Sequence, residues 1–402
     1  MKKITIALLL LWSFAGQAQI SYEASTNFGK LEDLTYDATV ENRIYALTQG
    51  NHIVTSIDNG LTWSVKYAFP DPSATITDMK LFGQSALSFV IINGGTQDGV
   101  YLFDIATNAI TRFYPIPNPM DNAQIMSYSF YDTTGTDLIV HTSYSEGFTA
   151  RTKVFHTNNV GSTWNMIYFS ADHDDVHINN VAFSPISKSK FYMGRSLGPN
   201  GINGGLYITE DFGATWTERL PGFTFSEITF NPQNGNDILI GTSIGFGIHA
   251  ERVYRSTDGG TTWTNLPITW TDQTLNNITK IAFHPTNPNY IILLEENEIV
   301  KSTDGGLTWT NTFYPEGSTS YYYGLNASYN PFNLNQVAIT TDLFPQFSND
   351  GGTTLTQIRA PYYNVISVTH AKYAAEKHLF YGSQGGRLHK NLGTGVTSIY
   401  DI

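Results

Sequence analysis

The densest group of side chains able to hold a metal ion is an acidic stretch in the middle of the chain. Asp172, His173, Asp174, Asp175 and His177 fall within six residues. Carboxylate oxygens suit Ca²⁺, and two converging imidazoles would suit Zn²⁺. The spacing matches no recognised metal-binding loop, however, and short acidic loops are usually only solvated. We therefore expect no required cofactor, with calcium at this stretch as the alternative.

Hydrolysis of a glycosidic bond is the second chemistry that the carboxylates allow. It needs two carboxyl groups that face each other across the substrate. Eight acidic residues fall in segments expected to share one face of the fold: Asp71, Asp121, Asp174, Asp175, Asp272, Glu295, Glu296 and Asp342. No motif selects a pair among them, and neither a Ser-His-Asp arrangement nor a thiol nucleophile is visible. The sequence therefore assigns no catalytic residue.

Aromatic side chains in loop segments offer a third chemistry, the stacking of sugar rings or the docking of a peptide. The ligand-binding candidates are Phe223, Trp270, Tyr321, Tyr322, Tyr323, Tyr362 and Tyr363, with Arg195 as a cationic candidate. Tyr114 and Phe225 occupy similar segments. The alternative is that each ring fills a gap between neighbouring sheets, an interpretation that suits the consecutive Tyr321, Tyr322 and Tyr323 least.

The elements that must position these side chains form a repeat. Six segments share the pattern Ser/Thr-x-Asp/Asn-x-Gly-x-Thr-Trp/Leu, and we call them the box turns: Ser56–Trp63, Thr157–Trp164, Thr209–Trp216, Ser256–Trp263, Ser302–Trp309 and Ser348–Leu355. Their glycines are spaced by 101, 52, 47, 46 and 46 residues. Because the first interval is twice the others, we expect a degenerate copy midway, at Phe103–Thr111.

Each box turn is expected to be a structural hairpin. The Asp carboxylate accepts backbone N–H groups of the turn, Gly provides a left-handed conformation, and Trp packs into the sheet interior. The residues with these roles are Asp58, Gly60, Trp63, Asp211, Gly213, Trp216, Asp258, Gly260, Trp263, Asp304, Gly306, Trp309, Asp350 and Gly352. Since the turn uses their polar atoms, we expect the ligand on the opposite face.

A four-stranded unit of 40 to 50 residues is typical of a β-propeller blade. The sequence predicts an all-β fold: a single β-propeller of antiparallel blades over residues 19–395, with box turns between third and fourth strands. First strands are expected near Leu34, Ile76, Ile125, Val176, Glu227, Ile278, Gly324 and Val365. That count makes eight blades, with seven as the alternative if a terminal unit is incomplete. Ile20–Thr26 could pair with the last blade and close the ring.

The box turns resemble the Asp-box (BNR) repeat, and the resemblance covers nearly the whole chain after residue 18. This repeat occurs in bacterial sialidases, sortilin-type receptors, xyloglucan-degrading endoglucanases and a propeller-shaped photosystem II assembly factor. These families share a scaffold and differ in chemistry. A sialidase would need three arginines and an Arg-Ile-Pro signature, whereas Arg43-Ile44-Tyr45 lacks the proline. The xyloglucan-degrading enzymes use two tandem propellers, whereas this sequence predicts one.

The N-terminus indicates an exported protein, and together with the Asn/Thr-rich box turns and the C-terminal tail it resembles exported proteins of the Bacteroidetes type. Lys2 and Lys3 precede an apolar run that ends at Trp12, and we expect a signal peptide over residues 1–18. The chain has no cysteine, so disulfides and an N-terminal lipid thioether are not expected. Its net charge of −12 disfavours nucleic acid and anionic lipid as partners. Residues 396–402 are expected to begin a C-terminal linker.

The function predicted from these features is recognition without catalysis. We expect a secreted or surface-held monomer, with the periplasm as an alternative location, and no insertion into a membrane. Its ligand would be a glycan or a protein, bound by the aromatic loops opposite the box turns. The alternative function is a glycoside hydrolase that uses two carboxylates on that face.

Overall fold

The computed structural model shows a β-propeller built from four-stranded antiparallel sheets. The structure describes residues 31–48, 51–69, 74–92, 95–118, 123–146, 149–169, 176–197, 203–242, 252–270, 278–295, 298–313, 324–341 and 345–357. Within these ranges, twenty-eight strands form seven sheets, and each sheet is one blade. In the same ranges, no helix is long and apolar enough to cross a membrane.

Each blade is a meander whose strands pair in chain order. The strands of blades 1 to 4 are β1 (Leu31–Tyr36), β2 (Ile44–Thr48), β3 (His52–Ser56), β4 (Ser64–Ala68), β5 (Thr75–Phe82), β6 (Ala86–Ile92), β7 (Gly99–Asp104), β8 (Ala109–Pro115), β9 (Gln124–Phe130), β10 (Leu138–Glu146), β11 (Thr149–Thr157), β12 (Asn165–Phe169), β13 (Val176–Ser184), β14 (Ser187–Leu197), β15 (Asn203–Thr209) and β16 (Thr217–Arg219). The strands of blades 5 to 7 are β17 (Phe225–Asn231), β18 (Asn234–Thr242), β19 (Val253–Ser256), β20 (Thr264–Asn265), β21 (Lys280–Phe283), β22 (Ile291–Leu294), β23 (Glu298–Ser302), β24 (Thr310–Phe313), β25 (Gly324–Tyr329), β26 (Val337–Thr341), β27 (Gln346–Ser348) and β28 (Thr356–Gln357). One 3₁₀ turn, Gly95–Gln97, lies between β6 and β7.

The second strand of each blade lies in the most deeply buried layer. All five residues of β2 and all four of β22 are buried. A blade is covered on both faces by its neighbours, so its central strands need apolar side chains on both sides, as buried strands do. The fourth strands face solvent, and only one of the seven residues of β8 is buried. Burial is therefore greatest at the second strand of a blade and falls toward the rim of the ring.

Seven blades close the ring, because blade 1 packs directly against blade 7. The backbone N–H of Tyr36 on β1 donates a hydrogen bond to Ser328 Oγ on β25, at 3.0 Å. Trp63 of blade 1 shares one apolar cluster with Ala338 and Phe347 of blade 7. The preferred count of eight blades is therefore wrong, and the alternative of seven is confirmed.

The first seven predicted inner strands correspond to the first strands of blades 1 to 7. The eighth, near Val365, lies outside the described residues, as does the proposed closing run Ile20–Thr26. The local pattern around Val365 led to the count of eight. The contacts between blades 1 and 7 leave no place in this ring for a further blade.

Each box turn joins the third and fourth strands of its blade and satisfies its own polar atoms. In blade 5, Asp258 Oδ1 accepts the Ser256 hydroxyl at 2.8 Å and the Thr262 N–H at 2.9 Å. Asp258 Oδ2 accepts the Thr262 hydroxyl at 2.6 Å. The N–H of Gly260, a residue with a φ of 90°, donates to Ser256 Oγ at 2.7 Å. These bonds leave the turn little capacity to hold a ligand.

The variant box turns keep the same arrangement with different atoms. In blade 3, Asn159 Oδ1 accepts the Thr163 N–H at 2.9 Å, while Asn159 Nδ2 donates to Thr163 Oγ1 at 2.7 Å. An uncharged amide thus makes the two hydrogen bonds to Thr163 that a carboxylate makes in the other box turns. The degenerate turn of blade 2 follows β7 as predicted, and there Asp104 Oδ1 accepts the N–H and the hydroxyl of Thr107.

The tryptophan position of the box turn packs at the contact between a blade and the preceding blade. Trp263 of blade 5 packs against a cluster that includes Tyr192 of blade 4, and its Nε1 donates to Gly260 O at 3.0 Å. Leu355 of blade 7 packs against a cluster shared with blade 6. In blade 2, Ile105, which directly follows the turn's Asp104, joins a cluster containing residues of blade 1. Blade 7 thus keeps an apolar side chain at the tryptophan position, whereas blade 2 fills the same contact from another position of its turn.

Acid should weaken the box turns that contain aspartate. The hydroxyl and then the N–H of the threonine four residues on lower the pKa of Asp211, Asp258 and Asp304 to about 2. The unfolded value is about 3.9, so the stabilisation is fully present above that pH and is lost as the pH falls through about 2. Replacing all three by Asn should therefore flatten the stability profile between about pH 4 and pH 2.

Equilibrium denaturation across that pH range would measure this effect. Asn159 shows that the amide fits the turn, so the triple variant should remain folded at neutral pH. An unchanged acid transition in the triple variant would contradict the assignment.

Candidate functional site

The two sides of the propeller differ in the connections that they present to a ligand. Box turns and the turns between first and second strands lie on one side, which we call the box side. The connections between second and third strands, and between successive blades, lie on the opposite loop side. Every internal segment outside the described residues is a loop-side connection. The described loop-side residues are therefore the ones that anchor such connections.

Most of the predicted ligand and metal residues are not among the residues that the structure describes. Tyr321, Tyr322, Tyr323, Tyr362, Tyr363, Asp172, Asp174 and Asp175 lie outside the described residues. The backbone of His177 pairs with Ser196 at the start of blade 4, but the His177 side chain is not among the groups that the structure describes. Among the described residues, no three His, Cys, Asp or Glu side chains are grouped to hold a metal ion. Calcium at the acidic stretch stays a prediction.

Phe223 is part of a small aromatic and cationic cluster at the loop side of blade 5. It precedes β17, and its half-buried ring lies 5.7 Å from the ring of Tyr254 on β19. The guanidinium of Arg252 lies over Phe223, 5.0 Å from the ring centre, and its Nη1 donates to Tyr254 Oη at 3.3 Å. No sequence pattern links Arg252 to Phe223, yet the structure brings its guanidinium to this predicted aromatic residue.

This cluster combines packing with partial exposure. Phe223 packs against the core between blades 4 and 5, and neither Phe223 nor Arg252 is fully buried. A guanidinium over a ring keeps hydrogen-bond donors at its edge, and such pairs contribute about 0.5–1 kcal/mol when exposed. The arrangement presents an apolar surface and cationic donors on one small platform.

Trp270 lies at the next connection, between blades 5 and 6. It packs against the apolar cluster of those two blades and is half-buried. Asn311 Nδ2 on β24 holds the adjacent backbone by donating to Thr269 O at 2.8 Å, and it also donates to Glu298 Oε2 at 3.0 Å. Trp270 therefore fills the gap between blades with part of its ring, as the alternative interpretation expected, and exposes the remainder.

Arg195 lies deeper than Phe223, between blades 3 and 4. It is buried on β14, and its Nη1 donates to Tyr207 Oη at 2.9 Å. The guanidinium lies 5.1 Å from the ring centre of Tyr207 and 5.9 Å from that of Tyr168. Burial raises the pKa of the Tyr207 hydroxyl, so this phenol stays neutral at ordinary pH. Arg195 therefore packs between blades 3 and 4, beneath the surface of the loop side.

Three loop-side candidates belong to the core instead. Tyr114 is fully buried between blades 2 and 3, and its hydroxyl donates to Gly135 O. Phe225 is fully buried in the cluster of blades 4 and 5. Glu295, the candidate carboxylate that the structure describes, is also fully buried. Burial of these rings and of this carboxylate separates them from any ligand on the surface.

Comparisons with known proteins support the fold. A family model described as Sortilin, neurotensin receptor 3 (Sortilin-Vps10) matches residues 204–330, which run from β15 to β25 and contain three box turns. A search of curated protein sequences found no match. The predicted resemblance to sortilin and xyloglucanase propellers is confirmed at the level of the fold.

Three solved structures illustrate this similarity. The GH74 xyloglucanase from Xanthomonas campestris aligns with a TM-score of 0.57 and 13% identity, over 81% of this chain and 53% of that chain. An ancestral GH74 enzyme gives 0.57 and 14%, over 84% and 47%. An oligogalacturonate lyase in complex with manganese gives 0.53 and 9%, over 80% and 89%. The match therefore spans about half of each GH74 chain. The protein is a seven-bladed β-propeller.

Proposed function

We propose that this chain is an exported, non-catalytic β-propeller that binds a glycan through the loop side of blades 4 to 6. The observation that carries the proposal is the guanidinium of the incompletely buried Arg252 over the ring of Phe223. Trp270 lies at the following blade connection and adds a second ring. A protein ligand is the second candidate, because the same platform suits a peptide.

The contrast between the two sides supports this location. The box turns use their carboxylates, hydroxyls and glycine N–H groups within the turn itself. The platform of Phe223, Arg252 and Tyr254 instead combines an apolar ring with the guanidinium of an incompletely buried arginine. Flat apolar faces with a few placed polar groups are typical of small-molecule sites, including those for sugars.

Replacing Phe223 by alanine should weaken glycan binding by roughly tenfold, which corresponds to about 1.4 kcal/mol. The substitution removes both a stacking surface and the support under Arg252. Arg252→Lys should also weaken binding, since the planar fork is lost while the charge is kept. Isothermal titration against a panel of soluble polysaccharides would measure the affinities.

Phe212 provides the matched control, because it is a phenylalanine on the box side with 48% of its surface exposed. Phe212→Ala should leave binding unchanged. Equal losses from Phe212→Ala and Phe223→Ala would contradict a loop-side site. Tyr322→Ala, outside the described residues, is also predicted to weaken binding with little change in thermal unfolding.

The competing function is a glycoside hydrolase, and the fold similarity to GH74 enzymes keeps it as the alternative. An assay for release of reducing ends from the same polysaccharides separates the two functions. Binding without release is the expected outcome. Sustained release that depends on loop-side carboxylates would replace binding with hydrolysis as the function.

A further inference from the structure

The first strands of the blades surround a central lumen with a volume of about 360 Å³. Its wall includes side chains from blades 2 to 6, and many of them are polar. Known ligand pockets begin at roughly 300 Å³. The lumen is therefore large enough for a small molecule, and the chemistry of its wall decides which kind.

A repeated irregularity aims side chains into this lumen. In six of the seven blades that the structure describes, the pairing of first and second strands shifts in the first half of the first strand. Such bulges re-aim the side chains beside them. The first residue to pair again after the shift is polar in each of these six blades: Asp33, Lys80, Ser127, Asn180, Glu227 and Asn326. Lys280 is the equivalent residue in blade 6. We call these seven residues the polar ring.

The charges of the polar ring that line the lumen are paired. Lys80 Nζ lies 3.1 Å from Asp78 Oδ2, and Lys280 Nζ lies 2.7 Å from Glu227 Oε1. The lysine side chains are 40% and 22% exposed, whereas their carboxylate partners are 4% and 9% exposed. A charged ligand would bring an uncompensated charge into a partly desolvated space, which is costly. The pairing therefore favours a neutral ligand.

The wall nevertheless retains hydrogen-bonding capacity. An ammonium carries three donors, and Lys280 uses one of them on Glu227. The Asn180 amide is not buried and makes no hydrogen bond within the described part of the chain. Thr229 Oγ1 donates to Ile281 O at 3.2 Å and can still accept. A ligand must therefore both donate and accept, as hydroxyl groups do.

The lumen extends to the box side. Tyr131 and Pro185 line it, and both follow the carboxyl ends of first strands. A neighbouring cleft of about 300 Å³ between blades 2 and 3 shares Lys80, Tyr128 and Phe130 with it. Entry from this side keeps the lumen apart from the loop-side platform.

We propose that the lumen binds a small neutral polyhydroxylated molecule, of the size of one sugar ring, entered from the box side. Asn180, Thr229 and Lys280 provide the hydrogen bonds, and the two ion pairs exclude charged analogues. This site is independent of the loop-side function, so Phe223→Ala should leave it unchanged.

The test titrates the whole chain with glucose, xylose and myo-inositol by saturation-transfer NMR, with glucuronate and glucosamine as charged analogues. At least one neutral compound should bind, and the charged analogues should bind roughly tenfold more weakly or not at all. Asn180→Leu should remove the amide, narrow the lumen and lower the affinity by at least roughly tenfold. Asn158→Leu, at an exposed box-turn position where blade 1 carries Ile57, is the matched control and should bind like the wild type.

The proposal would be overturned if none of the three neutral compounds binds. It would also be overturned if glucuronate or glucosamine binds as tightly as the neutral compounds. Unchanged affinity in a folded Asn180→Leu variant would overturn it too. If that variant fails to fold, Thr229→Val removes a lumen hydroxyl at constant volume and should reduce the affinity. Unchanged binding by Thr229→Val would then contradict the site.

Discussion

Trp63→Ala is expected to lower the free energy of unfolding by about 3–5 kcal/mol, the range for removal of a buried large aromatic side chain. Trp63 is 5% exposed and packs at the closure of the ring, in a cluster with Ala338 and Phe347 of blade 7. Its Nε1 also donates to Gly60 O at 3.0 Å. Alanine would leave a cavity where the two ends of the propeller meet. Urea denaturation would measure the loss.

Leu61 gives a control within the same box turn. It lies two residues from Trp63 and is 75% exposed, so Leu61→Ala should change stability by no more than about 0.5 kcal/mol. A loss below about 1 kcal/mol for Trp63→Ala would show that this side chain does not hold blades 1 and 7 together.

Arg255→Met is expected to cost about 2–3 kcal/mol, somewhat less than breaking a fully buried ion pair. Arg255 Nε and Nη2 donate to the two carboxylate oxygens of Asp237, at 2.7 and 2.8 Å. Arg255 Nη1 also donates to Gly305 O in the box turn of blade 6. The methionine variant would leave the buried Asp237 carboxylate with the Asn231 amide as its remaining side-chain donor in the described chain.

A double variant separates loss of the pair from loss of packing. Arg255→Met combined with Asp237→Leu should recover much of the stability, because no buried charge then lacks its partner. Thermal and urea unfolding of the two single variants and the double variant would complete the cycle. Additive losses in the double variant would show that the two residues do not act as a pair.

The blade and its box turn could be predicted because their determinants are close in sequence. In each box turn, the hydrogen bonds among the Ser/Thr, Asp/Asn, Gly and Thr positions fall within eight residues, so the pattern alone specifies the hairpin. Even the degenerate copy was found, and it retains the bond from Ile105 N–H to Ser85 O at 2.9 Å. The equivalent bond in blade 5, from Gly259 N–H to Asn236 O, is 3.0 Å. Local repetition was therefore sufficient for the fold class.

The number of blades and the loop-side cluster could not be predicted in this way. Closure depends on contacts such as that of Tyr36 with Ser328, which are 292 residues apart. Phe223 and Arg252 are separated by two strands of blade 5, and no spacing rule links them. The polar ring depends on strand register shifts, which side-chain alternation does not reveal. Long-range packing decides each of these features.

Site-specific cross-linking tests the closed seven-bladed ring most directly, because the chain has no cysteine of its own. Asn326 Nδ2 on blade 7 donates to Asp33 Oδ1 on blade 1 at 3.2 Å, so cysteines at these two positions should be joined by a short thiol-reactive linker within one molecule. The account predicts rapid formation of a cross-linked monomer by Asp33→Cys/Asn326→Cys and none by either single variant. A double variant that remains uncross-linked while its thiols react freely with small reagents would place another element between blades 7 and 1, and would contradict the seven-bladed ring.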